Sequence, residues 1–269
     1  MNELVVGVSQ DAGVPGDVEA NLELMVRSID EAADRGIELL VFPEGFLTGY
    51  FLPELVPASV PEAQWAVDRL QRLARSRKIG LIFGMIEAVN GQCCNVAVAI
   101  SRDGKTVARY TKRALFGSWE RRCFVGGRNV AVFQVGAFRV GLLICYDVEF
   151  PELVRELAVD GVTLVVVPTA LMEPYNAIAE HMIAARSLEN QIFVAYANRC
   201  GVENGLRYVG KSVICGPDGS ILAQAGGGER ALISARLDVE EIKNAKFEAS
   251  YLDDLKRLHA ADPAGMPGN

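Results

Sequence analysis

The chain has 269 residues, of which 50% are hydrophobic and 23% are charged, with a formal net charge of −7. This is the composition of an ordinary globular protein, and the acidic balance argues against nucleic acid or an anionic membrane as a partner, because both require clustered Lys and Arg. A chain of this length buries roughly three quarters of the surface that it exposes when unfolded, so no metal or disulfide is needed to hold it.

Residues 1–8 lack a basic segment followed by a long apolar run, so no signal peptide is predicted. The apolar runs are too short for a membrane-spanning helix, and a cytoplasmic protein is expected. Two histidines, His181 and His259, leave few ligands for a zinc site, and neither metal nor cofactor is predicted. Free thiols are therefore expected at Cys93, Cys94, Cys123, Cys145, Cys200 and Cys215.

Apolar runs alternate with amphipathic stretches along the chain. Strands are predicted at 4–8, 38–42, 81–86, 95–100, 106–110, 130–135, 138–144, 163–167, 193–198, 211–215, 221–224 and 231–237. Helices are predicted at 17–35, 61–78, 151–159, 175–189 and 239–243. This alternation is typical of an α/β protein. No linker divides the chain, so the sequence predicts one domain at 1–260 and a flexible tail at 261–269.

Three predicted strands end next to a side chain that is suited to catalysis. Glu44 follows Phe42-Pro43 at the end of an apolar strand, where partial burial raises a carboxyl pKa toward the range of a general base. Lys112 lies between a strand and an apolar pair, with Glu120 a few residues later. An inward-pointing Lys112 would stabilise an oxyanion. The alternatives are a solvated loop glutamate and an exposed turn lysine.

Cys145 closes a third apolar strand and precedes a turn into a helix. Such a turn exposes a nucleophile and offers backbone N–H groups to an oxyanion. A helix N-terminus and a nearby lysine both lower a thiol pKa, so a lowered pKa is expected for Cys145. The alternative is a buried structural cysteine.

Taken together, the three segments resemble the nitrilase superfamily of carbon–nitrogen hydrolases. The resemblance extends from residue 5 to residue 240. Its matching residues are Phe42-Pro43-Glu44 with Thr48-Gly49-Tyr50, Tyr110-x-Lys112 with Leu115-Phe116, and Cys145-Tyr146-Asp147 with Phe150-Pro151-Glu152.

The resemblance implies a four-layer α-β-β-α sandwich, which pairs into a homodimer or larger homo-oligomer. It also implies Cys145 as the nucleophile and Glu44 as the general base. Lys112 would stabilise the tetrahedral intermediate with the backbone N–H of Tyr146, and Glu120 would bond the lysine and orient the substrate. Attack by sulfur gives a thioester, ammonia leaves, and water releases the acid.

The residues after the nucleophile favour the amidase branch of this family. Nitrilases proper resemble Cys-Trp-Glu at this point, whereas this chain has Cys145-Tyr146-Asp147. The stretch resembles bacterial amidases that include R-stereoselective carboxamide hydrolases. A small carboxamide is therefore the expected substrate, and a nitrilase or a catalytically silent scaffold are the alternatives.

The substrate is expected to lie among Tyr50, Trp119, Tyr146, Glu149 and Ala170. Amidases such as ω-amidase resemble Cys-Tyr-Asp-x-Arg-Phe-Pro-Glu, and Glu149 stands here in place of that arginine. An acidic residue at this position disfavours a dicarboxylate amide and suits a neutral or cationic one. The alternative is that Glu149 pairs with a local arginine.

Overall fold

The strands of the protein form two six-stranded sheets and a small hairpin. The computed structural model describes residues 2–52, 55–247 and 249–260, and the predicted tail at 261–269 lies outside them. The strands are β1 (Glu3–Gln10), β2 (Leu39–Val41), β3 (Gly80–Val89), β4 (Gln92–Ile100), β5 (Thr106–Thr111), β6 (Val132–Val135), β7 (Phe138–Leu142), β8 (Leu164–Thr169), β9 (Phe193–Asn198), β10 (Val202–Glu203), β11 (Leu206–Arg207), β12 (Val213–Cys215), β13 (Ile221–Gln224) and β14 (Ala231–Asp238).

Each large sheet has parallel strands at its centre. The first sheet has the order β14-β1-β2-β3-β4-β5, and the second has the order β13-β12-β9-β8-β7-β6. In the first sheet β2 runs parallel to both β1 and β3, and in the second β8 runs parallel to both β7 and β9. The segments that follow the carboxyl ends of β2 and β7 contain the predicted catalytic residues Glu44 and Cys145.

Helices pack on both sheets, with α1 and α2 on the first and α4 and α5 on the second. The helices are α1 (Val18–Asp34), α2 (Gln64–Arg77), α3 (Gly117–Cys123), α4 (Pro151–Val159), α5 (Ile183–Asn190), α6 (Val239–Ala245) and α7 (Tyr251–Ala260), and a π-helical turn at Ile178–Met182 precedes α5. Within the described residues, no helix is long and apolar enough to cross a membrane. The predicted four-layer α-β-β-α sandwich is confirmed.

Two apolar layers hold the sandwich together. In β2, Leu39 and Val41 enter the core between the sheets, and Leu40 enters the core under α1 and α2. This alternation follows from the two-residue period of a strand, and burial on both faces explains why the strand reads as a continuous apolar run. Leu22 and Met25 of α1 are buried in the same core as Leu40.

Most predicted elements are found within a few residues of their predicted bounds. The side chain of Asp17 caps α1 by accepting a hydrogen bond from the N–H of Ala20. The elements α3, α7 and the β10–β11 hairpin were not predicted. The strands β10 and β11 have two residues each, which is too short for a hydrophobic period to stand out.

A close backbone approach fixes the loop that carries Glu44. A Cβ atom added to Gly84 on β3 would lie 2.4 Å from the backbone nitrogen of Gly45 and 2.6 Å from the Cα of Glu44. The backbone N–H of Gly84 also donates to the carbonyl of Pro43 at 3.1 Å. A side chain at Gly84 would therefore push the Glu44 loop away from the sheet.

We expect Gly84→Ala to cost about 1–3 kcal/mol of unfolding free energy and to lower the turnover number. Urea unfolding and steady-state kinetics measure the two effects. Gly228→Ala is the matched control, because a Cβ at Gly228 meets no atom within 4 Å. Equal behaviour of the two variants would contradict the steric account.

Candidate active site

A fully buried lysine lies between two fully buried glutamates. The Nζ atom of Lys112 is 2.8 Å from Oε1 of Glu44 and 2.6 Å from Oε1 of Glu120. The hydroxyl of Tyr50 donates to Oε1 of Glu120 at 2.7 Å, and Nδ2 of Asn95 donates to Oε1 of Glu44 at 2.7 Å. The structure thus brings together three residues that the sequence had singled out separately.

The second oxygen of Glu44 is available for chemistry. Its Oε2 atom is buried and has no hydrogen-bond partner among the described residues. Burial raises the pKa of Glu44 above its ordinary value, and the charge of Lys112 opposes that rise. A buried carboxylate with one oxygen held and the other free has the properties of a general base.

The charges around Lys112 keep it protonated. Burial alone would lower the pKa of Lys112, but the negative charge of Glu44, with further contributions from Cys145 and Glu120, outweighs burial and raises it. The backbone fixes the residue as well, since its N–H donates to the carbonyl of Asn95 at 2.9 Å. Lys112 is therefore a fixed buried cation, as oxyanion stabilisation requires.

Cys145 lies at a sharp turn between β7 and α4. It begins a 3-10 helical turn at Cys145–Glu149, and its φ of 46° is in the left-handed region that non-glycine residues rarely adopt. Strain of this kind concentrates at functional sites. The side chain is nevertheless only 8% exposed, so the thiol is more enclosed than the sequence indicated.

The expected lowering of the thiol pKa is wrong. Burial raises the pKa of Cys145 well above its ordinary value, and the negative charge of Glu44 raises it further. Lys112 and the backbone N–H of Ala170 act in the opposite direction without reversing the effect. The resting thiol is therefore protonated, and attack by sulfur needs a base to remove that proton.

A buried aspartate ties the Cys145 turn to the segment that follows Lys112. One oxygen of Asp147 accepts from the backbone N–H of Ile144 at 3.0 Å and from the hydroxyl of Tyr110 at 2.9 Å. The other accepts from the backbone N–H groups of Arg113 at 3.2 Å and Ala114 at 2.7 Å. Asp147 belongs to a motif visible in the sequence, but its bracing role depends on tertiary contacts.

The thiol opens into a small cleft with about 270 Å³ of empty space, lined by Tyr50, Phe116, Cys145, Glu149, Ala170, Leu171, Met172 and Tyr175. Three of the five predicted substrate contacts, Tyr50, Glu149 and Ala170, belong to this lining. Phe116, Leu171, Met172 and Tyr175 were missed, because loop residues of this kind carry no pattern that sets them apart from core.

Trp119 and Tyr146 lie outside the lining of the cleft. The Trp119 ring packs edge-on against Tyr50 at 5.6 Å and in a tilted arrangement against Phe51 at 4.8 Å, so it supports the wall from behind. The Tyr146 ring packs edge-on against Phe116. Both side chains pack against aromatic rings that line or adjoin the cleft.

A larger opening of about 960 Å³ lies at the opposite end of the sheets, near Leu4, Arg102 and Phe133. Its lining contains neither a cysteine nor a buried charged side chain. The small cleft beside Cys145 is therefore the candidate active site, because the reactive groups are there.

Known proteins resemble this chain over nearly its full length. It is 39% identical over 246 residues to a hydrolase in the pqqF 5′ region of Pseudomonas protegens, covering 90% of this chain and 85% of that protein. It is 33% identical over 260 residues to an (R)-stereoselective amidase of a Pseudomonas species, covering 96% and 93%.

Solved structures agree with these relatives. The crystal structure of an amidase from Nesterenkonia sp. superimposes with a TM-score of 0.83 at 34% identity, covering 96% of this chain and 95% of that one. A mutant of the amidase from Nesterenkonia sp. AN1, at 33% identity and a TM-score of 0.83 over 96% and 95% of the two chains, shows covalent addition of the acetamide moiety of fluoroacetamide at the active site cysteine.

The family model described as carbon-nitrogen hydrolase matches residues 5–247. With that match and with relatives above 30% identity over nine tenths of its length, this chain belongs to the carbon–nitrogen hydrolase family, within the nitrilase superfamily.

Proposed function

We propose that the protein is an amidase that hydrolyses small carboxamides to the carboxylic acid and ammonia through a thioester on Cys145. The observation that carries the proposal is the free Oε2 atom of Glu44, held in a buried cluster with Lys112 beside a protonated thiol. The two named amidases among the relatives and solved structures support the choice of amides.

The geometry supports a first half-reaction in which Glu44 removes the thiol proton. The sulfur of Cys145 then forms a bond to the amide carbon, and the carbonyl oxygen becomes an oxyanion. An ammonium group has three N–H donors, and Lys112 directs two of them at Glu44 and Glu120. The third is available to the oxyanion, together with a backbone N–H such as that of Tyr146.

The same base serves the remaining steps of both half-reactions, which are loss of ammonia and hydrolysis of the thioester. Glu44 returns its proton to the leaving nitrogen, the C–N bond breaks, and ammonia departs with the acyl group left on sulfur. Glu44 then takes a proton from water as the water attacks the thioester carbon. The C–S bond breaks, the thiol regains its proton, and the acid is released, so that the sum is amide plus water to acid plus ammonia.

Ammonia release from butanamide and pentanamide, compared with release from butanenitrile and pentanenitrile, tests this proposal. We expect release from the amides, with a kcat/KM at least about tenfold above that of the nitriles, because the site holds an amide-derived oxyanion and leaving nitrogen in place. Release from nitriles alone would replace the proposal with a nitrilase. Release from neither class would count against hydrolysis of small amides and favour a silent scaffold.

A further inference from the structure

A carboxylate that takes no part in the catalytic cluster lies in the same cleft as the nucleophile. Glu149 is the last residue of the 3-10 helical turn that begins at Cys145. Its half-buried side chain lines the cleft together with that of Cys145. A substrate bound at the thiol therefore meets Glu149.

The nearby arginine forms no ion pair with this carboxylate. The Nε atom of Arg186 donates to the carbonyl of Val148 at 2.9 Å, and Nη2 donates to the carbonyl of Glu149 at 2.8 Å. The Nη1 atom forms an ion pair with Glu189 at 3.0 Å. Arg186 thus binds the main chain of Glu149, and the described residues include no cation within 4.0 Å of its side-chain oxygens.

Glu149 has no ion-pair partner of its own among the described residues. Lys112 is already shared between Glu44 and Glu120. Burial raises the pKa of Glu149, and the charges of Lys112 and Arg186 oppose that rise without reversing it, so burial still penalises the negative charge. A cation entering the cleft would relieve that penalty.

The wall of the cleft also suits a cation. The rings of Tyr50, Phe116 and Tyr175 belong to the same lining as Glu149, and Phe116 and Tyr175 meet edge to face at 5.5 Å. Aromatic faces attract ammonium groups that come within about 6 Å of the ring centre. The lining contains no Lys or Arg that would bind an anionic substrate.

We propose that Glu149 binds an ammonium group on the substrate, so that the preferred substrates are primary amides that carry a cationic amine a few bonds from the carboxamide. This inference rests on the proposed amidase function and names its substrate class. Amides with a free carboxylate are poor substrates, because their charge faces Glu149.

Isosteric substrate pairs test the assignment. Butanamide differs from 3-aminopropanamide, and pentanamide from 4-aminobutanamide, by exchange of a terminal methyl for an ammonium group, and succinamate supplies the opposite charge. We expect the wild-type kcat/KM to be about tenfold or more higher for the amino member of at least one pair. We expect succinamate to be the poorest substrate.

Three variants assign the preference to one side chain. We expect Glu149→Gln to lower the ratio of amino to neutral kcat/KM by about tenfold, and Glu149→Arg to reverse the preference toward succinamate. Glu152→Gln is the matched control, since Glu152 is exposed on α4 outside the cleft, and it should keep the wild-type ratio. Thermal unfolding checks that all three variants are folded.

The outcomes separate this inference from the function on which it rests. Hydrolysis of the neutral amides without a preference for their amino partners, or an unchanged ratio in Glu149→Gln, would overturn the role of Glu149 and leave the amidase in place. No hydrolysis of any amide would overturn both proposals.

Discussion

Cys145→Ala is expected to reduce ammonia release from amides by at least about 10⁴-fold. The reason is chemical, because the lining of the cleft contains no other thiol. Of its two hydroxyl groups, that of Tyr50 is bound to Glu120 and has a pKa raised by burial, and that of Tyr175 belongs to an exposed side chain. The fold should survive, since the change removes a single sulfur atom. Ammonia assays and thermal unfolding measure the two expectations.

Cys123→Ala provides the comparison for this variant. Cys123 is a partly exposed thiol on α3 and does not line the cleft, so its loss should leave turnover near the wild-type rate. Substantial turnover by Cys145→Ala would place the nucleophile elsewhere and remove the basis of the thioester mechanism. Loss of activity in both variants would point instead to a general sensitivity of the fold to cysteine replacement.

Lys112→Met is expected to have the largest effect on stability, at about 3–5 kcal/mol of unfolding free energy. Removing the ammonium group leaves Glu44 and Glu120 buried side by side without a counter-charge. Turnover should also be lost, because the cation that faces the oxyanion is gone. Urea unfolding of the variant and the wild type gives the difference in free energy.

The stability loss in Lys112→Met should depend on pH. The pKa of Glu44 is already raised above 4.5 by burial, and Lys112 opposes that rise, so the variant raises the folded-state pKa further. A carboxyl with a raised folded-state pKa favours the folded state below its unfolded-state pKa, and that stability is lost as the pH rises through the folded-state value. The deficit relative to wild type should therefore grow between about pH 5 and pH 8.

Lys105→Met separates this effect from the loss of any lysine. Lys105 is exposed in the turn between β4 and β5, and its replacement should change the free energy of unfolding by no more than about 0.5 kcal/mol at either pH. A loss of unfolding free energy in Lys112→Met that is equally small, or that does not vary with pH, would show that Glu44 and Glu120 are not ionised in the folded protein.

The residues proposed as catalytic could be singled out because each follows a predicted strand. Glu44 comes after β2, Lys112 after β5 and Cys145 shortly after β7. The apolar runs before Glu44 and Cys145 are buried, whereas β5 is largely exposed. The resemblance to a known family then related the three positions to one another. The hydrophobic periodicity alone indicates that each residue lies at the end of a strand. It does not predict the 2.8 Å contact between Lys112 and Glu44.

The thiol pKa was mispredicted because the sequence shows local neighbours and not burial. A helical turn and a lysine are visible along the chain, whereas the enclosure of Cys145 and the charge of Glu44 arise from tertiary contacts. The sequence could not place Trp119 and Tyr146 relative to the cleft for a related reason. Whether an aromatic ring lines a cleft or supports its wall depends on packing between loops that are distant in sequence.

The pairing of the first strand with the last has a consequence for synthesis of the chain. Over its full length β1 runs antiparallel to β14, from Glu3 opposite Asp238 to Gln10 opposite Ala231. A nascent chain that has reached only residue 230 therefore presents one side of β1 as an open edge, with backbone groups that other strands can bind. The sheet that carries Glu44 and Lys112 is completed only when β14 emerges, so cotranslational folding of this sheet ends at the last strand to be made.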